Sequence, residues 1–151
     1  MPKVENPKID EGEDEIGRCR AELLSDAGGL TQFGAFIETL WPGSAASKTH
    51  WHANEDEMIH VLSGTVTLIE GDAETDLIQG DTATFKAGVP VGHHLENRTQ
   101  APCRYLVIGT RSHDDTVTYS KTGETVTIIA DEKVYRDAEG NITKVEPYHG
   151  T

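Results

Sequence analysis

The chain has 151 residues, and its 26 acidic against 13 basic side chains leave a formal charge of −13. This length buries roughly 68–70% of the unfolded surface, enough for one hydrophobic core and too little for two, and the acidity excludes nucleic acid and acidic membrane surfaces as partners, leaving a small molecule as the expected ligand. Cys19 and Cys103 are far apart in sequence, which gives no support to a zinc ribbon or a redox dithiol and fits a reducing, cytoplasmic setting.

The opening Met1-Pro2-Lys3-Val4-Glu5-Asn6 lacks the apolar run of a signal peptide, and no segment approaches the roughly 20 apolar residues of a membrane span. A soluble, unexported chain is the expectation. Residues 1–29 carry the acidic cluster Glu11, Glu13, Asp14 and Glu15 and no sustained apolar period, so they read as an irregular N-terminal arm with a solvated charged face. From Thr31 the pattern alternates as a strand does, with Phe33, Ala35, Ile37, Thr39 and Trp41 on one face and Phe36, Glu38 and Leu40 on the other. His50 and His52 are two apart, so on an extended strand both imidazoles leave the same face. Ala53-Asn54-Glu55-Asp56 reads as a turn; Glu55 and Asp56 are rival carboxylates to Glu57, but the turn position favours solvated charges, and Glu57 opens the apolar run Met58-Ile59-His60-Val61-Leu62. A hairpin at Gly64 leads into Thr65-Val66-Thr67-Leu68-Ile69.

Gly80-Asp81 turns the chain into Thr82–Lys86, and residues 87–92 form a loop rich in turn formers before the strand that starts at His93. Alternation puts His93, Leu95 and Asn97 on one face and His94 and Glu96 on the other, so only one of the adjacent histidines faces a shared site, and the spacing to Asn97 favours His93. Cys103–Thr110 closes the central block, 30–111. Beyond it, residues 112–151 read as a C-terminal β extension, with strands at 116–119 and 125–129 and a hairpin joining 133–136 to 142–145, packed on the barrel or on a dimer partner. Strands at such short, turn-marked intervals indicate an all-β sandwich or barrel.

Three imidazoles and one carboxylate, His50, His52, Glu57 and His93, form a donor set that suits one divalent transition metal, whether Zn, Mn, Fe, Ni or Co. Trp51, Phe85 and Tyr105 are candidate pocket residues, though aromatics on strands also serve as core. Lys86 is the cation placed best to meet an anionic substrate, ahead of Lys48, Arg98 and Arg104. His94 is the rival to His93, and Asn97 is expected to brace the site through hydrogen bonds to its ligands. His60 lies on the face away from Glu57, and His113 and His149 fall in polar, exposed contexts.

The run Gly43, six residues, His50-x-His52, four residues, Glu57, six residues, Gly64 resembles the first motif of the cupin superfamily, with one extra residue after the first glycine. The second motif is matched by Gly80-Asp81, Ala87-Gly88, His93 and Asn97, with Lys86 where the family usually has proline and four residues rather than two between Gly88 and His93. The resemblance implies a double-stranded β-helix, or jelly-roll, barrel with N- and C-terminal extensions, and a homodimer. Small single-domain bacterial cupins with this second motif are labelled sugar-phosphate isomerase-like, which implies a metal-polarised carbonyl and an enediol route. The family also includes Fe-dependent dioxygenases and non-catalytic binding proteins, so those stand as alternatives. A metal-dependent enzyme acting on a small oxygenated metabolite is the leading expectation, with its general base unassigned.

Overall fold

A computed structural model describes residues 3–148. In chain order the strands are β1 (Lys8–Asp14), β2 (Gly17–Leu23), β3 (Phe33–Leu40), β4 (His50–His52), β5 (Glu57–Ser63), β6 (Val66–Glu70), β7 (Ala73–Leu77), β8 (Thr82–Phe85), β9 (His93–Glu96), β10 (Cys103–Thr110), β11 (Asp114–Tyr119), β12 (Thr125–Ile129), β13 (Glu132–Arg136) and β14 (Ile142–Pro147). One helical turn, α1 (Leu24–Ala27), follows β2. No described helix is long and apolar enough to cross a membrane.

Two sheets face each other as in a jelly roll, the expected all-β architecture. The first runs β1-β2-β3-β10-β5-β8 and the second β14-β13-β12-β11-β4-β9-β6-β7. Alternation explains the core between them: Leu40, Ile59, Val61, Cys103, Tyr105 and Val107 point inward from the first sheet, and Val66, Leu77 and Leu95 meet them from the second. Cys19 and Cys103 both register against Leu40 from opposite sides of β3. Two strand spacings, about 10 Å, separate them, beyond the roughly 7 Å reach of a disulfide, and both are free thiols.

The expected irregular lead-in is a hairpin instead. β1 pairs with β2 along its whole length, from Lys8 opposite Leu23 to Asp14 opposite Gly17, and β2 adds to β3. Every residue of β1 is exposed, so this edge strand has no buried face to leave an apolar period; backbone pairing, which the side-chain pattern does not encode, makes it a strand. The C-terminal segment continues the second sheet, with β11 pairing β4 and the hairpin β13–β14 forming the far edge.

Gly64 sits between β5 and β6 at φ +76°, and a Cβ there would come within 3.0 Å of Cys103 Cα and of the Pro102 carbonyl oxygen. Both the left-handed backbone and the close approach require glycine. Gly64→Ala is expected to cost at least about 1–2 kcal/mol, read as a lower urea midpoint at unchanged denaturant slope; an unaltered midpoint would refute this account of the turn.

Candidate metal centre

The short strand β4 is the centre of the site. Its His50 is the direct antiparallel partner of His93 on β9, and its His52 faces Val117 on β11. Glu57, the first residue of β5, reaches across from the opposite sheet, with its Oε1 3.2 Å from His93 Nε2. One donor atom each from His50, Glu57 and His93 lie within 4.8 Å of one another. The His93 ring is stacked on Phe85 with centroids 3.7 Å apart and planes 7° from parallel, so packing fixes its orientation.

Ring protons follow from the partners. His50 Nδ1 lies 2.7 Å from the Lys48 carbonyl oxygen, which only accepts, so Nδ1 carries the hydrogen and Nε2 keeps its lone pair. His52 Nδ1 lies 2.8 Å from Asp115 Oδ2, and the other Asp115 oxygen accepts from the Asn54 backbone N–H at 2.8 Å. A carboxylate behind an imidazole is the arrangement that orients a metal-ligating histidine. His52 nonetheless groups most tightly with Glu55 and Asp115 rather than with the other three expected ligands, and its ring stands 5.2 Å from that of His50, nearly edge-on at 80°.

The electrostatics divide the four residues. Burial pushes His50 below its ordinary pKa, despite the Lys48 carbonyl, and the neighbouring imidazoles add to the fall. Burial also lowers His52, but the Asp115 hydrogen bond and nearby carboxylates outweigh it and raise the imidazole. For Glu57 burial is the largest effect and would raise it, yet the His93 hydrogen bond and three adjacent imidazoles hold it below the usual carboxylate range. Asp115 is fully buried and is likewise held low by His52 and the Asn54 N–H against the cost of its burial.

Other expected residues go to different places. His94 points to the opposite side from His93, its two nitrogens bonded to Thr49 Oγ1 and Glu96 Oε1, both at 2.8 Å. Asn97 is buried but does not brace the imidazoles: its amide donates to the Leu40 and Ala101 carbonyls, and its oxygen accepts from the Thr99 backbone N–H and hydroxyl. It locks the turn between β9 and β10, a demand that an amide with both donors and acceptors meets. Lys86 is exposed and, with Trp51, lines a pocket of about 200 Å³ beside the loop at 86–92. Arg98 is engaged by Glu74 and Glu96, and Arg104 lies 3.6 Å from Glu22. His60 bonds Thr82 Oγ1 at 2.8 Å, His113 is exposed, and His149 lies outside the described residues.

Three acids beyond the expected four residues have a place in the site. Asp115 was hidden in a polar stretch with no spacing cue. Glu55, expected to be a solvated turn charge, is half-buried and pushed up to about 7, first by burial and then by Asp115. Glu38 did carry a signal, a carboxylate on the face of β3 that also holds Phe36 and Leu40. Its partner is the fully buried Tyr105, directly opposite on β10, whose hydroxyl donates to Glu38 Oε1. Burial pushes Glu38 up to about 7, the Tyr105 hydrogen bond pulls against it, and Glu57 adds to the rise.

A chamber of about 140 Å³ has Glu38, His50, Glu57, Phe85, His93 and Tyr105 in its wall. A broader groove of about 860 Å³ runs from the N-terminal hairpin to His52 and Glu55. Phe36, Glu38, Ala46, Glu57 and Val107 line both, so the groove is the approach to the chamber.

The model of the Cupin domain family matches residues 36–109, the block that holds every imidazole and carboxylate of the chamber. A crystal structure of a sugar phosphate isomerase from a cupin superfamily, from Silicibacter pomeroyi, is 36% identical and superposes with a TM-score of 0.78 over 83% of this chain and 80% of that one. A protein of Acidithiobacillus ferrooxidans provisionally named a sugar phosphate isomerase is 25% identical, with a TM-score of 0.79 over 85% of this chain and 84% of the other. A Thermotoga maritima protein described as a predicted oxalate decarboxylase, 18% identical with a TM-score of 0.60 over 72% of this chain and 96% of that one, shares the fold alone. No functionally curated protein matches the chain. Fold, motif block and sequence identity together place this chain in the cupin superfamily.

Proposed function

We propose that His50, His52, Glu57 and His93 hold one divalent transition metal and that the chain is an isomerase-like enzyme acting on a small hydroxy-carbonyl metabolite. The observation that carries the reading is the convergence of His50, Glu57 and His93 to within 4.8 Å. Donors about 2.0–2.2 Å from one ion stand roughly 3–4.4 Å from each other, so the trio fits with a small adjustment. His52, its Nδ1 committed to Asp115, has Nε2 left as the fourth donor. Nitrogen and carboxylate donors of this kind suit Zn, Mn, Fe, Ni or Co. When bound, the ion supplies Lewis-acid polarisation of a carbonyl oxygen.

The protein's own residues do the rest. Asp115 and the Lys48 carbonyl fix two imidazoles in one tautomer, Phe85 fixes the ring plane of a third, and the apolar wall of Ile59, Leu95 and Val107 limits water in the chamber. The names of the two similar proteins from Silicibacter pomeroyi and Acidithiobacillus ferrooxidans support an isomerase over an oxygenase. The reading extends to a cytoplasmic homodimer, for which the sheet edges at β1, β7, β8 and β14 offer unpaired backbone.

Three outcomes are expected. Zinc content of purified protein falls well below one per chain in His52→Ala, while Asp115→Asn weakens zinc binding by about 10–100-fold; full occupancy in His52→Ala would remove that ligand. In deuterated water, aldose and ketose phosphates and small hydroxy acids are screened for C–H exchange with oxygen uptake recorded in parallel. Exchange without uptake is the expected result, whereas uptake coupled to turnover would make the protein an oxygenase, and neither signal with any of the five metals would make it a binding protein. Light scattering gives twice the chain mass at micromolar concentration, and a monomer mass throughout would exclude the dimer.

A further inference from the structure

The chamber contains one carboxylate that the metal reading does not use. Glu38 comes from β3, in the middle of the first sheet, and its place in the cross-strand ladder is set by Ala21 on one side and Tyr105 on the other. Ala21 is too small to cover it and Tyr105 bonds it. Among the described residues no buried side-chain oxygen or nitrogen lacks a hydrogen-bond partner. Oε1 is held by Tyr105 and Oε2 has no such partner, so Oε2 opens onto the space where the chamber and the groove meet. A carboxylate held on one oxygen and bare on the other, set in the wall of the chamber that also contains His50, Glu57 and His93, has the form of a proton acceptor.

We infer that Glu38 is the catalytic acid–base group, carrying the proton between the two carbons of a hydroxy-carbonyl substrate, and that Tyr105 is its positioning residue. This rests on the isomerase reading. The Glu38 carboxylate takes the proton from the carbon bearing the hydroxyl; the C–H electron pair becomes the carbon–carbon double bond of the enediolate, and the carbonyl π pair moves onto its oxygen. In the return step the carboxylic acid, whose proton exchanges with solvent by way of the groove, gives a proton to the former carbonyl carbon, the double-bond pair forms the new C–H bond, and the hydroxyl proton crosses from one substrate oxygen to the other. Nothing is oxidised or reduced overall, and Glu38 ends as it began.

Its surroundings suit a group that must both take and give a proton near neutrality. Burial pushes Glu38 up to about 7, against the Tyr105 hydrogen bond and with a smaller push from Glu57. Cys19 on β2 and Cys103 and Tyr105 on β10 also face it, and burial raises all three, so they stay protonated and add no charge. His50 on β4, Glu57 on β5 and His93 on β9 share the wall of the chamber, as does His94, whose two ring nitrogens are bonded to Thr49 and Glu96.

The test uses the full chain loaded with zinc and two small probes, glyceraldehyde and dihydroxyacetone, in deuterated water, with C–H exchange followed by NMR. Glu38→Gln, which keeps the shape and still accepts from Tyr105, is expected to slow exchange by about 10²–10⁴-fold with KM and zinc content unchanged, and Glu38→Asp to restore part of the loss. Tyr105→Phe removes the bond that favours the carboxylate, so the acidic limb of its pH–rate profile moves to higher pH; a packing role alone would leave that limb in place. Independently of turnover, the Glu38 carboxyl of ¹³C-labelled, metal-free protein titrates above the ordinary carboxylate range. Exchange in Glu38→Gln within tenfold of wild type, loss of its zinc, or titration of Glu38 in the ordinary carboxylate range in the metal-free protein would overturn the assignment alone. Absence of exchange in the wild-type protein with both probes and with the aldose and ketose phosphates and hydroxy acids of the wider screen, with any of the five metals, would overturn the isomerase reading and this role together.

Discussion

Three residues, His50-Trp51-His52, join the two halves of the second sheet. β4 lies between β11 and β9, and without it the C-terminal strands have no connection to β9, β6 and β7. Its bond to β9 rests on a single residue pair, His50 with His93. Backbone pairing at that point fixes the two imidazoles side by side, because directly opposed residues in an antiparallel pair have Cβ atoms about 4.5–5.5 Å apart. The donor geometry is therefore a by-product of sheet register, and a slip of one residue would turn the histidines outward.

Register also explains why a polar chamber survives inside an apolar barrel. The inner face of the first sheet is divided lengthwise, with Leu40, Ile59, Val61 and Cys103 packed at one end and Glu57 and Gly109 at the other. Each buried polar group near the boundary has a partner: Glu57 has His93, His52 has Asp115, and Glu38 has Tyr105. Buried ionisable groups without such partners would cost several kcal/mol each. Gly92 extends the same economy to the backbone, since a side chain there would collide with Ser120 and Thr49, and the close approach it permits seats the loop that delivers His93.

Much of this was legible in sequence because alternation and turn residues speak directly about which face a side chain takes. The choice of His93 over His94 came from the two-residue period, and their separate hydrogen-bond partners show that the faces do differ. For Asn97 spacing gives the face but not the bond partners, which serve a turn rather than the imidazoles. β1 was invisible because an exposed edge strand pairs through its backbone and is free to be acidic. Asp115 was beyond reach for another reason. Its function depends on β11 pairing with β4 across 63 residues of chain, from His52 to Asp115, and no local pattern records a contact of that span.

Asp115 lies outside the family-matched block of 36–109. The residue that fixes the tautomer of a histidine at the heart of the shared motif thus comes from a segment that the motif does not describe. Relatives with the same histidines but a different chain after the barrel would hold the second imidazole by other means, and with another basicity. The imidazole and the carboxylate that sets its basicity thus lie in different stretches of the chain, so exchange of the tail alone can change the basicity of His52 without altering one residue of the matched block.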